Sequence, residues 1–465
     1  MTISGSEDYS VYSIKASPQK KGPLSFLEGD RESGWHVARN LLKPLNHLSF
    51  LQQKEALAEE LNLHNVKTPN QLFDFNYQML QAHQEKKVTT QEVIRVISDQ
   101  LYSKTDNSSI QMVQEKLQQY AAIRHMEFHP TDVCNLTCTD CTYGHDEAAT
   151  KPAPVNFDFE AINRIVKLRP KSMVVIGGGE PTLYVHNKRR FQRMISEVKR
   201  HMPKIALALV TNGTFLPPGN WPNHFSWIRV SLDAATPETY ENFRGKNMFE
   251  KVINNYLNYL DFDVPYVGIS FLFAKSNIHE YAQVAAFIYN LVKKNKPQHL
   301  RKVNIQYRPL RRDPYEYDKP FREAISQREI ENAVQEVIKL AYTSKEMERF
   351  LREQTNITAI MGGNSHPPLN FDRCYYSQTF KIVRANGDLR PCFIRVTEPD
   401  FILGNIKTDA PETIALNSLY VGAKRKPHCD AHGCRQCHVN HVFEQGLKGT
   451  LLPSSSPEVL ADPMY

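Results

Sequence analysis

The sequence predicts an α/β protein built on a parallel sheet, and three observations carry that prediction. Between residues 121 and 350, six short apolar stretches alternate with amphipathic helical patterns. The polar motifs fall just after the apolar stretches, where strands of such sheets end and chemistry gathers. Helical text precedes the repeat and irregular, cysteine-bearing text follows it. Six strands joined by helices make a parallel sheet, either doubly wound or curled into a barrel.

Along the chain, residues 1–33 are polar and aperiodic and are expected to form a mobile arm. Residues 34–120 read as a helical N-terminal region. "GWHVARNLLKPLNHLSFLQQKEALAEELNL" and "TTQEVIRVISDQLYSK" space their apolar residues at three and four, and Thr89-Thr90 followed by Glu92 marks a helix start. This region is either a cap packed on the main domain or a surface for substrate or partner.

The six predicted strands are "HMEFHP", "KSMVVIG", "IALALVTN", "WIRVSLD", "YVGISFLF" and "VNIQYRPL". The helices between them include "FEAINRIVKL", "KRRFQRMISEVKRHM", "FEKVINNYLNYL" and "HEYAQVAAFIYNLVKK". Residues 314–350 read as helix. Residues 364–445 form a small cysteine-rich C-terminal domain, with a hairpin around Asn386-Gly387. Residues 446–465 are a loose tail.

At 465 residues the chain is too long for one ordinary core. Its 41% hydrophobic and 23% charged content is a soluble globular profile. No apolar run approaches the roughly 18 residues of a membrane span, so no membrane partner is expected. The N-terminus lacks the basic-then-apolar order of a signal peptide, and the expected location is cytoplasmic. A net charge of +7 suits a solvated basic surface or an acidic or phosphorylated substrate. With no long basic run, nucleic acid is not an expected partner.

Cysteine placement is the sharpest signal. Three of the eight cysteines, Cys134, Cys138 and Cys141, fall in the eight residues "CNLTCTDC", just after the first predicted strand. In a reducing compartment, cysteines point to metal or catalysis rather than disulfides. A structural zinc site wants a fourth ligand close by. A cubane iron–sulfur cluster held by three thiolates leaves one iron open to a small molecule.

Companion motifs follow the next strands. "GGGEP", residues 177–181, lets backbone approach a ligand and offers the carboxylate of Glu180. It lacks the GxGxxG spacing of a dinucleotide loop, and Pro181 would break a helix. "TNGT", with Thr211 and Asn212, ends the third strand. "RVSLDA" ends the fourth with Ser231 and Asp233, whose side chains, two apart on a strand, share a face and can both reach one ligand.

The spacing Cys134-x3-Cys138-x2-Cys141, with these companions in this order, resembles the radical S-adenosylmethionine (radical SAM) enzymes from Arg124 to Leu310 and in part beyond. The resemblance implies a partial (β/α)6 TIM-like barrel. It implies a [4Fe-4S] cluster on the three cysteines, with S-adenosylmethionine at the open iron. Gly178, Gly179, Glu180 and Pro181 would hold the methionine amino group. Thr211, Asn212, Ser231 and Asp233 would lie around the same SAM, Ser231 and Asp233 at the ribose hydroxyls or the carboxylate. The family's aromatic residue before the third cysteine is replaced here by Asp140; the nearest aromatic is Tyr143, the candidate adenine contact. Gly268 and Ile269 stand either at the family's fifth-strand adenine contact or simply in a core strand.

In that family the reduced cluster cleaves SAM to methionine and a 5′-deoxyadenosyl radical, which abstracts hydrogen from an unactivated carbon. An electron donor such as flavodoxin or ferredoxin is implied. The run Cys374-x12-Gly387-x4-Cys392, followed by "LGNI", resembles the SPASM/Twitch extension. That resemblance implies one auxiliary iron–sulfur cluster, expected as [4Fe-4S], on Cys374, Cys392, Cys434 and Cys437. Cys429 is then a spare ligand, a hydrogen donor or a buried thiol. A four-cysteine zinc site fits the same spacing.

The substrate is expected to be a peptide or other biosynthetic intermediate, undergoing oxidation, cross-linking or rearrangement by a radical SAM oxidoreductase or maturase. The alternative is a dehydrogenase, deaminase or epimerase of a sugar, sugar nucleotide or aminocyclitol. Arg308, Arg311 and Arg312, after the sixth strand, suit a carboxylate or phosphate. A zinc-stabilised binding protein without turnover is the reading of a different class.

Overall fold

A computed structural model describes residues 78–123, 125–139, 141, 143, 154–310, 325, 327–356, 374, 380–393, 396 and 398–423. The predicted arm and tail, the helical region before residue 78, Asp140, Arg311, Arg312, Cys429, Cys434 and Cys437 lie outside the described residues.

The predicted helix start is present. Thr89 caps the helix Thr90–Tyr102: its hydroxyl accepts from Glu92 N, and Glu92 Oε2 accepts from Thr89 N at 2.6 Å. Val93, Ile94 and Ile97 form the buried stripe of that helix. A second helix, Asn107–Ala121, follows. Both pack against a C-terminal helix, Pro411–Ala423. His83 Nδ1 meets Asn417 Oδ1 at 3.0 Å, and Gln118 Nε2 donates to Glu412 Oε1 at 2.6 Å. The described part of the N-terminal region thus packs on the helix Pro411–Ala423.

All six predicted strands form. They are β1 (His125–Phe128), β2 (Ser172–Val175), β3 (Ala206–Thr211), β4 (Trp227–Ser231), β5 (Tyr266–Phe273) and β6 (Val303–Pro309). Three more come from the C-terminal region: β7 (Phe380–Val383), β8 (Asp388–Arg390) and β9 (Gly404–Asn405). The order across the sheet is β9-β8-β7-β1-β2-β3-β4-β5-β6. Pairing is parallel from β7 through β6, while β7, β8 and β9 run antiparallel to one another.

The sheet has two unlike faces. Met126, Phe128, Met173, Val175, Leu207 and Leu209 point into one large apolar core shared with the helices. Alternate residues point the other way. There Val174, Ala208, Val210 and Trp227 form a small separate cluster. Ser270, Asn304, Gln306 and Arg229 on that second face are also buried, although they are not part of the helical core. The sheet encloses its inner face, as a partial barrel does.

Three local expectations are corrected. The hairpin at Asn386-Gly387 forms, with Gly387 at φ +94, but it is not a body apart from the sheet. Strand β7 pairs with β1 from His125↔Phe380 to Phe128↔Val383, which covers an edge that six strands alone would leave bare. The stretch 314–350, read as one helix, contains Gln327–Ala341 and Lys345–Gln354, because Ser344 Oγ accepts from Met347 N and starts a new helix. The helix expected from Lys188 begins at Phe191. Asn187 and Lys188 both take positive φ and turn Val185–His186 back onto Arg189–Arg190, a two-residue hairpin of the primed kind.

Candidate active site

The loop after β1 carries the three cysteines and is tied down at both flanks. Gly179 N donates to Thr131 O at 2.8 Å, and Glu180 N donates to Val133 O at 2.7 Å, so the cysteine loop runs alongside the glycine segment. Thr137 N and Thr139 N donate to Arg244 O and Phe243 O, at the end of the helix Pro237–Arg244. Lys246 Nζ donates to Asn135 O at 2.6 Å.

Gly179 permits the first of these approaches. A Cβ there would lie far inside contact with the Val133 carbonyl. Gly177 and Gly178 take positive φ, which residues with a side chain would resist. Gly179→Ala is expected to push the cysteine loop off the glycine segment. Overpacking of this kind costs about 1–3 kcal/mol. Thermal melts of the iron-free protein check it. Gly219→Ala, where a Cβ meets nothing within 4 Å, reports the cost of backbone strain alone.

Glu180 is the hub of the site. It is 2% exposed. Its Oε1 accepts from Thr182 N at 3.1 Å, from Thr182 Oγ1 at 2.6 Å and from Thr211 Oγ1 at 2.6 Å. Its Oε2 accepts from Asn212 N at 2.6 Å, which leaves acceptor capacity on that oxygen. Burial pushes the carboxyl up, against the pull of these donors. Pro181 opens the short helical turn Pro181–Leu183 that Glu180 caps. Asn212 Nδ2 donates to Asn135 Oδ1 at 3.0 Å, and Asn135 Nδ2 to Thr214 Oγ1 at 2.8 Å. The structure thus brings Gly178, Gly179, Glu180, Pro181, Thr211 and Asn212 together with the cysteine loop.

Cys134, Cys138 and Cys141 are thiols outside any disulfide, each half-buried. Burial pushes Cys134 up to about 11, and Glu180, Cys138 and Cys141 push the same way against one backbone donor. A thiol whose deprotonation is opposed by burial and by two neighbouring cysteines belongs to a donor set that a cationic centre would neutralise. Among the described residues no three His, Cys, Asp or Glu side chains converge tightly enough for a single metal ion. Three thiols on one loop, none of them in a disulfide, are the soft donors that an iron–sulfur cluster takes.

Asp233 leaves the strand register of Ser231. The alternation stops at Ser231, and Asp233 takes φ +58. Its Oδ2 pairs with Arg244, and its Oδ1 accepts from Leu272 N at 2.6 Å. The second guanidinium nitrogen of Arg244, NH1, donates to Cys138 Sγ at 3.4 Å. Burial works to lower the Arg244 guanidinium, but Asp233, Cys138 and Tyr240 more than offset it and hold it charged. Ser231 lies on the inner face beside Ser270.

Tyr143 packs among polar and apolar groups of β1 and β7. Its ring meets His129 edge-on at 5.3 Å, and the Arg384 guanidinium lies 5.5 Å from its centroid. Its hydroxyl is 3.4 Å from His129 Nε2, which lies 2.7 Å from Glu127 Oε1. Tyr143 packs on the same small cluster, Phe380, Ile382 and Val396, as Cys374 and Cys392. Cys374 is held by its N–H to Gly422 O at 2.8 Å. Strand β7 therefore brings two of the downstream cysteines toward the first loop.

With this geometry in view, residues 128–288 match the family model of the Radical SAM superfamily. That span takes in the three-cysteine loop, the glycine segment and strands β2 to β5. Comparison with the curated proteins gives no match. Among solved structures, a histidine-tagged anSMEcpe with bound AdoMet is 18% identical, with 74% of this chain and 99% of that chain covered at a TM-score of 0.48. SuiB of Streptococcus suis bound to S-adenosylmethionine is 15% identical, with 84% and 87% covered at 0.47. BtrN in complex with AdoMet and 2-DOIA is 14% identical, with 67% and 89% covered at 0.32.

The match to that family implies a [4Fe-4S] cluster and SAM, and the three-thiol loop and Glu180 carry donors suited to them. Sequence reasoning missed Asn135, Arg244 and the Glu127–His129 pair. Asn135 could have been found, since it sits inside the cysteine run. Arg244 carried no signal, because 106 residues separate it from Cys138.

Proposed function

We propose that the chain is a radical SAM enzyme acting on a peptide or other biosynthetic intermediate. Cys134, Cys138 and Cys141 would hold a [4Fe-4S] cluster. Cys374 and Cys392, with Cys434 and Cys437 and with Cys429 in reserve, would hold an auxiliary iron–sulfur cluster. Bound there, the first cluster with SAM supplies one-electron cleavage of the sulfonium and, with it, hydrogen abstraction from an unactivated carbon.

The chain's own residues place and shield that chemistry. Glu180 would offer the free capacity of Oε2 to the ammonium of the methionine moiety, while Thr182, Thr211 and Asn212 fix its carboxylate. Gly178 and Gly179 keep the backbone close. Arg244 offsets thiolate charge at Cys138. The enclosed inner face excludes water from the reacting carbon.

The observation that carries the reading is the joining of the three-cysteine loop to the Glu180 segment through Thr131 and Val133. Anaerobic reconstitution with iron and sulfide tests it. A brown protein that forms 5′-deoxyadenosine and methionine from SAM under dithionite is expected. A colourless protein holding zinc at both cysteine sets would overturn it.

A further inference from the structure

The inner faces of β4, β5 and β6 carry polar groups that the cysteine loop does not use. The register stacks them in layers. Arg229, Gly268 and Asn304 lie side by side, then Ser231, Ser270 and Gln306, then Leu272 and Arg308 toward the strand ends. Alternate residues of the same strands, Val230, Ile269 and Ile305, point into the helical core. Arg229, Ser270, Asn304 and Gln306 are all at least 95% buried.

Asn304 and Gln306 are the anomaly. Asn304 Oδ1 and Gln306 Oε1 are shut from solvent with no hydrogen-bond partner among the described residues. Buried amides are nearly always partnered, and an orphaned pair on one face is costly. Gly268 makes room for one of them, since a Cβ there would collide with Asn304 Oδ1. Next to them stand two guanidinium groups. Arg229 lies 4.8 Å from the centre of the Trp227 ring, and Arg308 donates to Ser270 Oγ at 2.9 Å. The inner faces of these three strands hold two arginines, and the Asp233 carboxylate, just past the end of β4, acts electrostatically on Arg308.

We propose that this inner face is a substrate subsite for a carboxylate flanked by amide N–H groups, as at an acidic residue or the C-terminus of a peptide. The inference rests on reading the enclosed face as the reaction chamber of a radical SAM enzyme. The arginines take the oxyanion, since their planar forks match two oxygens. The amide oxygens of Asn304 and Gln306 need donors, which the peptide N–H groups beside a carboxylate supply. A phosphate ester group brings acceptors only and would leave both amide oxygens orphaned.

The test uses the full-length chain without iron, so it is independent of whether the cysteines take up a cluster. N-acetylglycylglycine and phenyl phosphate, which has no donor outside its phosphate, are titrated in parallel by calorimetry, with circular dichroism melts to confirm folding. Saturable binding of N-acetylglycylglycine is expected, weakened at least tenfold by Arg308→Gln and by Gln306→Leu. No binding, binding indifferent to both variants, or preference for phenyl phosphate would each overturn the proposal. If Arg308→Gln does not fold, Gln306→Leu decides alone, because it replaces an orphaned amide with an apolar side chain. Loss of SAM cleavage by reconstituted protein, with this binding intact, would sink the radical reading and leave the anion subsite standing.

Discussion

Cys138→Ala is expected to abolish SAM cleavage while leaving the iron-free fold close to wild type. The thiol is half-buried, and its sulfur accepts from Arg244. Surface and half-buried substitutions of this size typically shift stability by less than about 1 kcal/mol. The functional loss is of another order, because two thiolates do not retain a cubane that three would hold. Iron content separates the two cysteine sets. Cys138→Ala should lose the irons of one cluster and keep those of the other, and Cys374→Ala the reverse. Iron and sulfide assays on anaerobically reconstituted variants, beside 5′-deoxyadenosine yield, check both. Loss of all the iron in either variant would mean that the two sets build one centre. Retained iron and cleavage in Cys138→Ala would remove the basis of the proposed function.

What the linear text contains follows from local chemistry. The Thr89–Glu92 box, the six apolar stretches and the Asn386-Gly387 turn each act through neighbours a few residues apart, so they are legible there. The glycine segment and "TNGT" are legible as ligand-binding text, and they meet at Glu180. What is not legible depends on distance in sequence. The pairing of β7 with β1 joins residues 380–383 to residues 125–128, across the whole barrel repeat. The asymmetry of the sheet, with apolar residues on the inner face of β2 and β3 but arginine and amide on that of β4 to β6, emerges only once the register is known. Asp233 shows the opposite failure. Strand alternation predicts it beside Ser231, yet a single residue at positive φ turns its carboxylate to Arg244.

That ion pair yields the second large effect. Arg244→Met would leave the Asp233 carboxylate buried, with the Leu272 N–H still donating to it. Removing one partner of a buried pair typically costs about 3–5 kcal/mol. The cost should depend on pH with a definite sign. Burial already pushes the Asp233 carboxyl above its ordinary range, against Arg244 and the Leu272 N–H, and loss of Arg244 pushes it further. A carboxyl raised in the folded state binds its proton more tightly there than in the unfolded chain. Stability of Arg244→Met should therefore fall as pH rises from the ordinary aspartate range through the raised value, and recover on acidification. Urea melts of the iron-free protein across that range check the slope. Asp233→Asn in the same background should remove most of the pH dependence, since the buried charge is gone. Arg244→Lys separates the two jobs of the side chain. One ammonium can neutralise Asp233 but cannot span both Oδ2 and Cys138 Sγ as the guanidinium fork does. Lysine should thus recover much of the stability and none of the sulfur contact. Hydrogen bonds to cluster sulfurs raise the reduction potential, so the lysine variant's first cluster should be harder to reduce than wild type in a dithionite-mediated redox titration followed by EPR. A potential unchanged by Arg244→Lys would confine Arg244 to a structural role.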